Sequence, residues 1–452
     1  MQLMSDLDSS LTIPPYNTTP IEVIPDVRFR LKNAFKKGRT KHVQFRKQQL
    51  LSLAYLVKDN MTLFQMALAS DLGRSNAETT ILEIGGTLAE TMGAYNNVAK
   101  WSKPERAPWS FNWFTMKPTI RKEPKGVVLI ISPFNYPMWL LLSPLAGAIA
   151  AGNACVLKPS EQTPAFSALI ADLVPKYLDP DLYTVINGGV PETAKVLELQ
   201  WDHILYTGGP RVASIVLTAA AKTLSPVTTE LGGKSPVVID PNCDLKLTAR
   251  RLMWGKVANA GQTCTAPDYV LVPKDFIDQL VHACKEVLQD FYPEGAESSD
   301  SFSRKIVYGG STNAKTKFIE PTLVTGVKGD DSLMGEEIFG PVLPIIGVED
   351  VDEAIEFINT RDHPLALYVF SSNSAFKLKV IENTQSGSVV VNDTIIQAAA
   401  EGLPFGGIGP VDFTFDMFTH IRSTLDSPAF TEHLLGSRYP PYNVRQVRTS
   451  DG

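Results

Sequence analysis

Residues 126–157, "GVVLIISPFNYPMWLLLSPLAGAIAAGNACVL", carry no charged side chain from end to end. About 20 apolar residues can span a bilayer. Here Pro133, Pro137, Pro144 and Asn135 interrupt the run, and Gly152-Asn153 closes it. Proline fixes φ and removes a backbone donor, so the stretch is predicted to be a strand (VVLIIS), a turn (PFNYP), a buried helix and a second strand (ACVLKP) rather than a membrane span.

The alternation continues downstream. AFSALIADLVPKYL reads as a helix, LYTVIN as a strand, PETAKVLEL as a helix and HILYTG as a strand; RVASIVLTAAAKTLS is a helix again and PVTTEL a strand. Short apolar strands alternating with helices predict a parallel sheet covered on both faces, a Rossmann-like α/β layout. Such sheets bind ligands at the carboxyl ends of their strands. Upstream, 21–100 is predicted to be helical, and 114–124 alternates like an exposed hairpin strand. A second α/β unit follows "ELGGKSPVVI", with strands expected at 268–272 and 387–392 and a helix over "VDEAIEFINTR".

The whole chain has 452 residues, 44% hydrophobic and 20% charged, with a net charge of −6. That charge argues against nucleic acid as a partner. The basic cluster "KKGRTKHVQFRK" at 36–47 reads as the exposed side of a helix. Four cysteines without a CxxC pair, and six dispersed histidines without HExxH, suggest neither a disulfide scaffold nor a metal site. They suit a reducing, cytoplasmic setting, with peripheral membrane association left open. The amino terminus lacks a signal-peptide core, and the carboxyl end "RYPPYNVRQVRTSDG" has no apolar tail, so no transmembrane anchor is expected.

Several short motifs could carry chemistry, and each has a plainer reading. In "PFNYP" the flanking prolines restrict Asn135, as an oxyanion donor requires; a turn asparagine bonding its own backbone is the alternative. Lys158 of "VLKPSE" ends a strand, where it could meet a cofactor or simply water. "ILYTGGPRVA" offers Gly208 and Gly209 at a helix start, suited to phosphate but also to an ordinary turn. Glu230 of "TTELGGKSP" ends the fifth strand, where burial would raise its pKa toward that of a general base; a surface glutamate is the other reading. Cys264 of "NAGQTC" follows a helix-ending glycine, as a nucleophile or as a packing residue.

Order and number narrow these choices. "PFNYP", "KPSE", "TGGP", "TELGGK", "NAGQTC", "EEIFGP" and "LPFGG" run in this sequence through almost the whole chain. Together they resemble the aldehyde dehydrogenase superfamily, and most closely its class 3 or fatty aldehyde branch, including fungal members. The resemblance implies a Rossmann-like cofactor domain (1–113 and 125–231) and an α/β catalytic domain (232–424). It also implies a small β oligomerisation element (114–124 and 425–437), a flexible tail (438–452) and a homodimer. It makes Cys264 the nucleophile, Glu230 the general base, and Asn135 and the Cys264 N–H the oxyanion donors. Lys158 and Glu161 would meet the adenosine ribose, Thr207, Gly208 and Gly209 the pyrophosphate, and Glu337 and Phe339 the nicotinamide end. Phe405 would lie near the substrate.

The implied activity is NAD- or NADP-dependent oxidation of an apolar aldehyde, long-chain, aromatic or isoprenoid, through a thioester and without a metal. Tyr95, Trp101, Phe134 and Trp139 could line its tunnel, although more of them are expected in the core. A cysteine-dependent esterase, or a non-catalytic or weakly active relative, are the alternatives.

The chain departs from the family pattern mildly at Ala213, where glycine is usual, and more seriously at two shortened segments. "ESSDSFSRKIVYGG" (297–310) runs almost directly into the following strand where the family has a helix. "LPFGGIGPVDFTFDMFTH" (403–420) lacks a glycine-rich stretch. Losing a packed helix removes core contacts. Inserting family-like segments after Arg304 and after Gly409 is therefore expected to raise both melting temperature and turnover. Thermal unfolding and cofactor reduction, measured side by side on the two versions, check this; equal values would mark the shortenings as tolerated loops.

Overall fold

The computed structural model describes residues 11–292, 305–315, 317–400, 403, 405–407, 415–432 and 438–440. Both shortened segments centre on stretches outside the described residues, 293–304 and 408–414, as does most of the carboxyl tail.

Four long helices open the chain: α1 (Ile24–Lys36), α2 (Val43–Asp59), α3 (Met61–Leu72) and α4 (Gly85–Trp101), with a single short turn of helix at Asn76–Thr79 before the last. The basic cluster at 36–47 does not lie wholly on their outer face. Arg46 is buried, donating from Nε to Thr40 O (2.5 Å) and from Nη1 to Ala150 O (3.1 Å) and Ser102 Oγ (3.2 Å). A guanidinium can satisfy several orphan carbonyls at once, and that favours burial here.

A polar passage holds β1 (Glu105–Arg106) and β2 (Thr119–Pro124). The five-stranded sheet follows: β3 (Val127–Ile131), β4 (Ala154–Lys158), β5 (Tyr183–Val185), β6 (His203–Gly208) and β7 (Val227–Leu231). Between them run α5 (Trp139–Ala151), α6 (Pro164–Tyr177), α7 (Val190–Leu197) and α8 (Pro210–Thr223). All pairings are parallel, in the order β5-β4-β3-β6-β7. Every residue of β3 and β4 is buried, which explains their unbroken apolar runs. Residues 140–151 of α5 are buried on all sides, so this charge-free helix lies within the protein core. Among the described residues no helix is long and apolar enough to cross a membrane.

The second sheet has seven strands: β8 (Pro236–Ile239), β9 (Tyr269–Pro273), β10 (Lys305–Tyr308), β13 (Thr322–Thr325), β14 (Val342–Val348), β15 (Ala366–Phe370) and β16 (Ser388–Val391). Their order is β10-β13-β14-β9-β8-β15-β16, parallel except for β10. A short ribbon of β11 (Thr312–Asn313) and β12 (Phe318–Ile319) lies beside it in sequence. Helices α9 (Leu245–Val257), α10 (Ile277–Phe291), α11 (Val351–Asn359) and α12 (Ser374–Glu382) connect the strands. The boundary read at 231/232 falls between the two sheets.

The expected bridging element needs correction. β2 pairs antiparallel with β17 (Thr419–Thr424), a strand inside the range read as catalytic domain. The described part of 425–437 holds a 3₁₀ turn, Ala429–Thr431, and no strand. Nearly all of β17 is exposed, so it lacks the one-sided apolar alternation that marks a strand in sequence. Residues 114–116 likewise form a turn, not strand.

Arg46→Met is expected to lower stability by about 3 kcal/mol, because several buried carbonyls lose a charged donor together. Denaturant unfolding of the two proteins measures it; a change under about 0.5 kcal/mol would mean that water takes over the guanidinium's role.

Candidate active site

The ladder register decides which residues meet. Ile131, the last residue of β3, sits between Lys158 of β4 and Tyr206 of β6. On the next rung Thr207 of β6 lies beside Glu230 of β7. The strand order reverses at β3, leaving a crevice at the carboxyl ends on either side of it. A cavity of about 620 Å³ opens there.

All eleven residues singled out in the sequence line this cavity: Asn135, Lys158, Glu161, Thr207, Gly208, Gly209, Glu230, Cys264, Glu337, Phe339 and Phe405. Of the four aromatics considered for a tunnel, Phe134 is on its wall, with its ring edge-on to Phe339 at 5.8 Å. The other three pack elsewhere. Trp101 meets Phe415 and Trp139 meets Tyr136, while Tyr95 lies beneath Lys47.

At one end of the cavity the groups suit a dinucleotide. Helix α8 begins at Pro210, so its unpaired N–H groups and positive dipole end face the Gly208-Gly209 turn. The side-chain position of Gly209 opens on empty space. Lys158 is buried, and burial lowers its pKa; its ammonium donates to Pro159 O at 2.8 Å and lies 3.5 Å from Glu161. The Thr207 hydroxyl is buried without a partner among the described residues. Val190, Val212 and Ile215 hold exposed apolar side chains along the same wall, a placement that favours a flat ring between them. Sequence reasoning missed these three, because an apolar residue on a helix reads as core.

The other end is chemical. Cys264 follows a turn in which Asn259 and Ala260 adopt left-handed backbone (φ 53° and 54°) and Gly261 follows at φ 75°. A side chain at Gly261 would meet the Gly340 carbonyl at 2.3 Å, so this turn requires glycine. The thiol stays partly open to the cavity, although protein encloses it on most sides. Burial, then Glu337 and Glu230, push its pKa up to about 12; the N–H groups of Cys264 and Thr265 point at the sulfur and oppose the shift.

Asn135 is buried and does not bond its own turn: Nδ2 donates to Gln262 O, two residues before Cys264, at 3.0 Å. Its second N–H remains for another acceptor. Burial pushes Glu230 up to about 8, and neither carboxyl oxygen has a partner among the described residues. Glu337 is pushed up to about 7 by burial and by Asp268, against the Gly233 N–H, Lys256 and Lys234. A side chain at Gly232 would meet the Glu337 carboxyl at 2.5 Å, so that glycine lets the loop close.

A raised carboxyl, a thiol and a carboxamide thus meet at the end of a dinucleotide-shaped cleft. The sequence profile of the aldehyde dehydrogenase family matches residues 30–303 and 294–411. The chain belongs to the aldehyde dehydrogenase family. It is an oxidoreductase acting on aldehydes with NAD or NADP.

Among its relatives is mouse aldehyde dehydrogenase family 3 member A2, 42% identical over 442 residues, covering 92% of this chain and 91% of the relative. The rat aldehyde dehydrogenase named dimeric, NADP-preferring is 41% identical, covering 94% and 99%. The structure titled substrate-bound state of Staphylococcus aureus AldH superposes with a TM-score of 0.89 at 37% identity, covering 94% of this chain and 98% of that one. The two pieces of the family match overlap at 294–303, within the first segment read as short.

The Glu230 shift has a consequence for stability. Its carboxyl ionises near 4.5 when unfolded but only near 8 in the fold. Between those values the unfolded chain binds fewer protons, so the native state loses stability as pH rises. Glu230→Gln removes that loss. The variant should match the native enzyme below about pH 4 and exceed it on the order of a few kcal/mol by pH 8. Parallel unfolding curves across pH test this, and a difference independent of pH would refute it.

Proposed function

We propose that this enzyme oxidises an apolar aldehyde to the carboxylic acid through a thioester on Cys264. The observation that carries the reading is the convergence of Cys264, Glu230 and Asn135 on one cavity with Lys158, Thr207 and the Gly208-Gly209 turn.

The thiol is almost wholly protonated at neutral pH, so the reaction needs a base beside it. Glu230, pushed up to about 8 and without a partner among the described residues, can take that proton once ionised, and the sulfur then attacks the aldehyde carbon. Negative charge moves to the carbonyl oxygen, where the free N–H of Asn135 and the Cys264 backbone N–H stabilise it. Lys158, Glu161, Thr207, Gly208, Gly209, Glu337 and Phe339 would hold the dinucleotide, which when bound would supply a positively charged ring and accept the hydride from the attacked carbon. Oxidation at the attacked carbon leaves an acyl group on the sulfur. Glu230 then deprotonates a water that cleaves the thioester, and the acid departs.

Phe134, Leu140, Leu365 and Phe405 add apolar wall to the cavity, which supports long-chain, aromatic or isoprenoid aldehydes. The rat relative's name supports NADP as one of the two cofactors. It also supports a homodimer, for which the β1-β2-β17 sheet offers the bridging surface. All four cysteines are unpaired, in keeping with a reducing cytoplasmic location.

Hexadecanal and benzaldehyde, each assayed with NAD and NADP, should yield reduced cofactor. Cys264→Ala should abolish it while leaving dinucleotide binding near normal. In Glu230→Gln a single-turnover burst should survive if the base serves mainly the water, or slow and recover at high pH if it also serves the thiol. For the native enzyme, turnover should rise with pH through about 8 as Glu230 ionises. Activity surviving in Cys264→Ala would remove the covalent route.

A further inference from the structure

Beneath the catalytic turn lies an ion pair to which the reaction assigns no role. Arg74 and Glu83 are almost fully buried and bonded to each other. Buried pairs lose hydration on both sides, so stability alone is a weak reason for one. The remaining bonds are specific. Arg74 Nη2 donates to Asn135 O at 2.6 Å and to Asn259 Oδ1 at 2.5 Å. Asn259 Nδ2 donates to the same Asn135 carbonyl at 2.8 Å and to Gln262 O at 3.0 Å. Gln262 O also accepts the Asn135 carboxamide itself.

A second connection runs alongside. The guanidinium lies over the Tyr136 ring at 5.1 Å, and the Tyr136 hydroxyl is 2.7 Å from Thr263 Oγ1, next to the nucleophile. On the other side Glu83 Oε2 accepts from the N–H groups of Met138 (2.9 Å) and Trp139 (2.8 Å), pinning the start of α5. The turn bearing Asn135 and the turn bearing Cys264 come from different sheets and are separated by more than a hundred residues of sequence. They are joined here through one guanidinium and one carboxamide.

We propose that Arg74 and Asn259 are positioning residues that fix the Asn135 carboxamide relative to Cys264. They act on catalysis through Asn135, not on the thiol or the cofactor. The proposal rests on the reading of Asn135 as an oxyanion donor. It predicts a particular pattern, since alkylation of a thiol develops no oxyanion whereas attack on an aldehyde does.

The test uses the full-length enzyme with Asn259→Gly and Arg74→Lys, each alone and combined with Asn135→Ala. Glycine tolerates the left-handed backbone at 259, so that variant is expected to fold even if Arg74→Lys does not. Each single change should lower kcat/KM for benzaldehyde about tenfold or more, a loss typical of a misplaced catalytic group. Cys264 alkylation by iodoacetamide and the NADP dissociation constant should move less than about twofold. In the Asn135→Ala background, Asn259→Gly should cost nothing further. Full additivity on an impaired Asn135→Ala background, or an equal fall in alkylation, overturns the positioning role alone. An Asn135→Ala enzyme with native kcat/KM overturns the oxyanion assignment and the proposal together.

Discussion

The site depends on the register of a parallel sheet. With Ile131 level with Lys158 and Tyr206, and Thr207 level with Glu230, four strand ends finish within two rungs of one another. Parallel strands all point their carboxyl ends the same way, so the side chains that terminate them gather on one edge of the sheet. A slip of one residue would turn each strand's inward side chains outward. β3 and β4 are enclosed on both faces, so a slip there would force every side chain to repack against new neighbours. Packing of the sheet core therefore fixes the site geometry.

Charge in the cleft is poised rather than balanced. Cys264, Glu230 and Glu337 are each pushed toward their neutral forms, to about 12, 8 and 7, chiefly by burial. Lys256, itself buried and lowered to about 8, offsets the Glu337 shift only in part. Such a site binds a positive ring well, since ionisation of thiol and carboxyl becomes easier beside it. Among the described residues Glu230 has no hydrogen-bond donor; donors would favour its ionised form and lower its pKa.

The α/β alternation was legible because buried strands and helices leave long apolar runs between turn residues. Glu230, Cys264 and Asn135 were visible as polar residues at the ends of such runs, and their motifs in order singled them out. What escaped was of two kinds. Arg46 and Arg74 lie in polar or basic segments, where a cation reads as solvated, and only the carbonyls gathered around them show otherwise. β17 and the apolar cavity wall of Val190, Val212 and Ile215 failed for the opposite reason. Exposed strands and apolar residues on helix surfaces have no periodicity that separates function from packing.

The described bonds bear on the two segments read as short. Around Glu337 they are dense. Lys234 pairs with Asp268 and donates to Leu333 O and Glu336 O, both at 2.9 Å, while the Ile338 N–H reaches Asp268 Oδ1, also at 2.9 Å. These partners come from the loops beside β8 and β9, in the middle of the second sheet. The Phe405 loop is held closely at Gly387, where a side chain would come within 2.0 Å of Gly406 O. The Glu337 and Phe405 loops are thus tied to residues beside β8, β9 and β16. The segments read as short border the edge strand β10 and the Phe405 loop in sequence, so their effect is expected first in stability and through it in turnover.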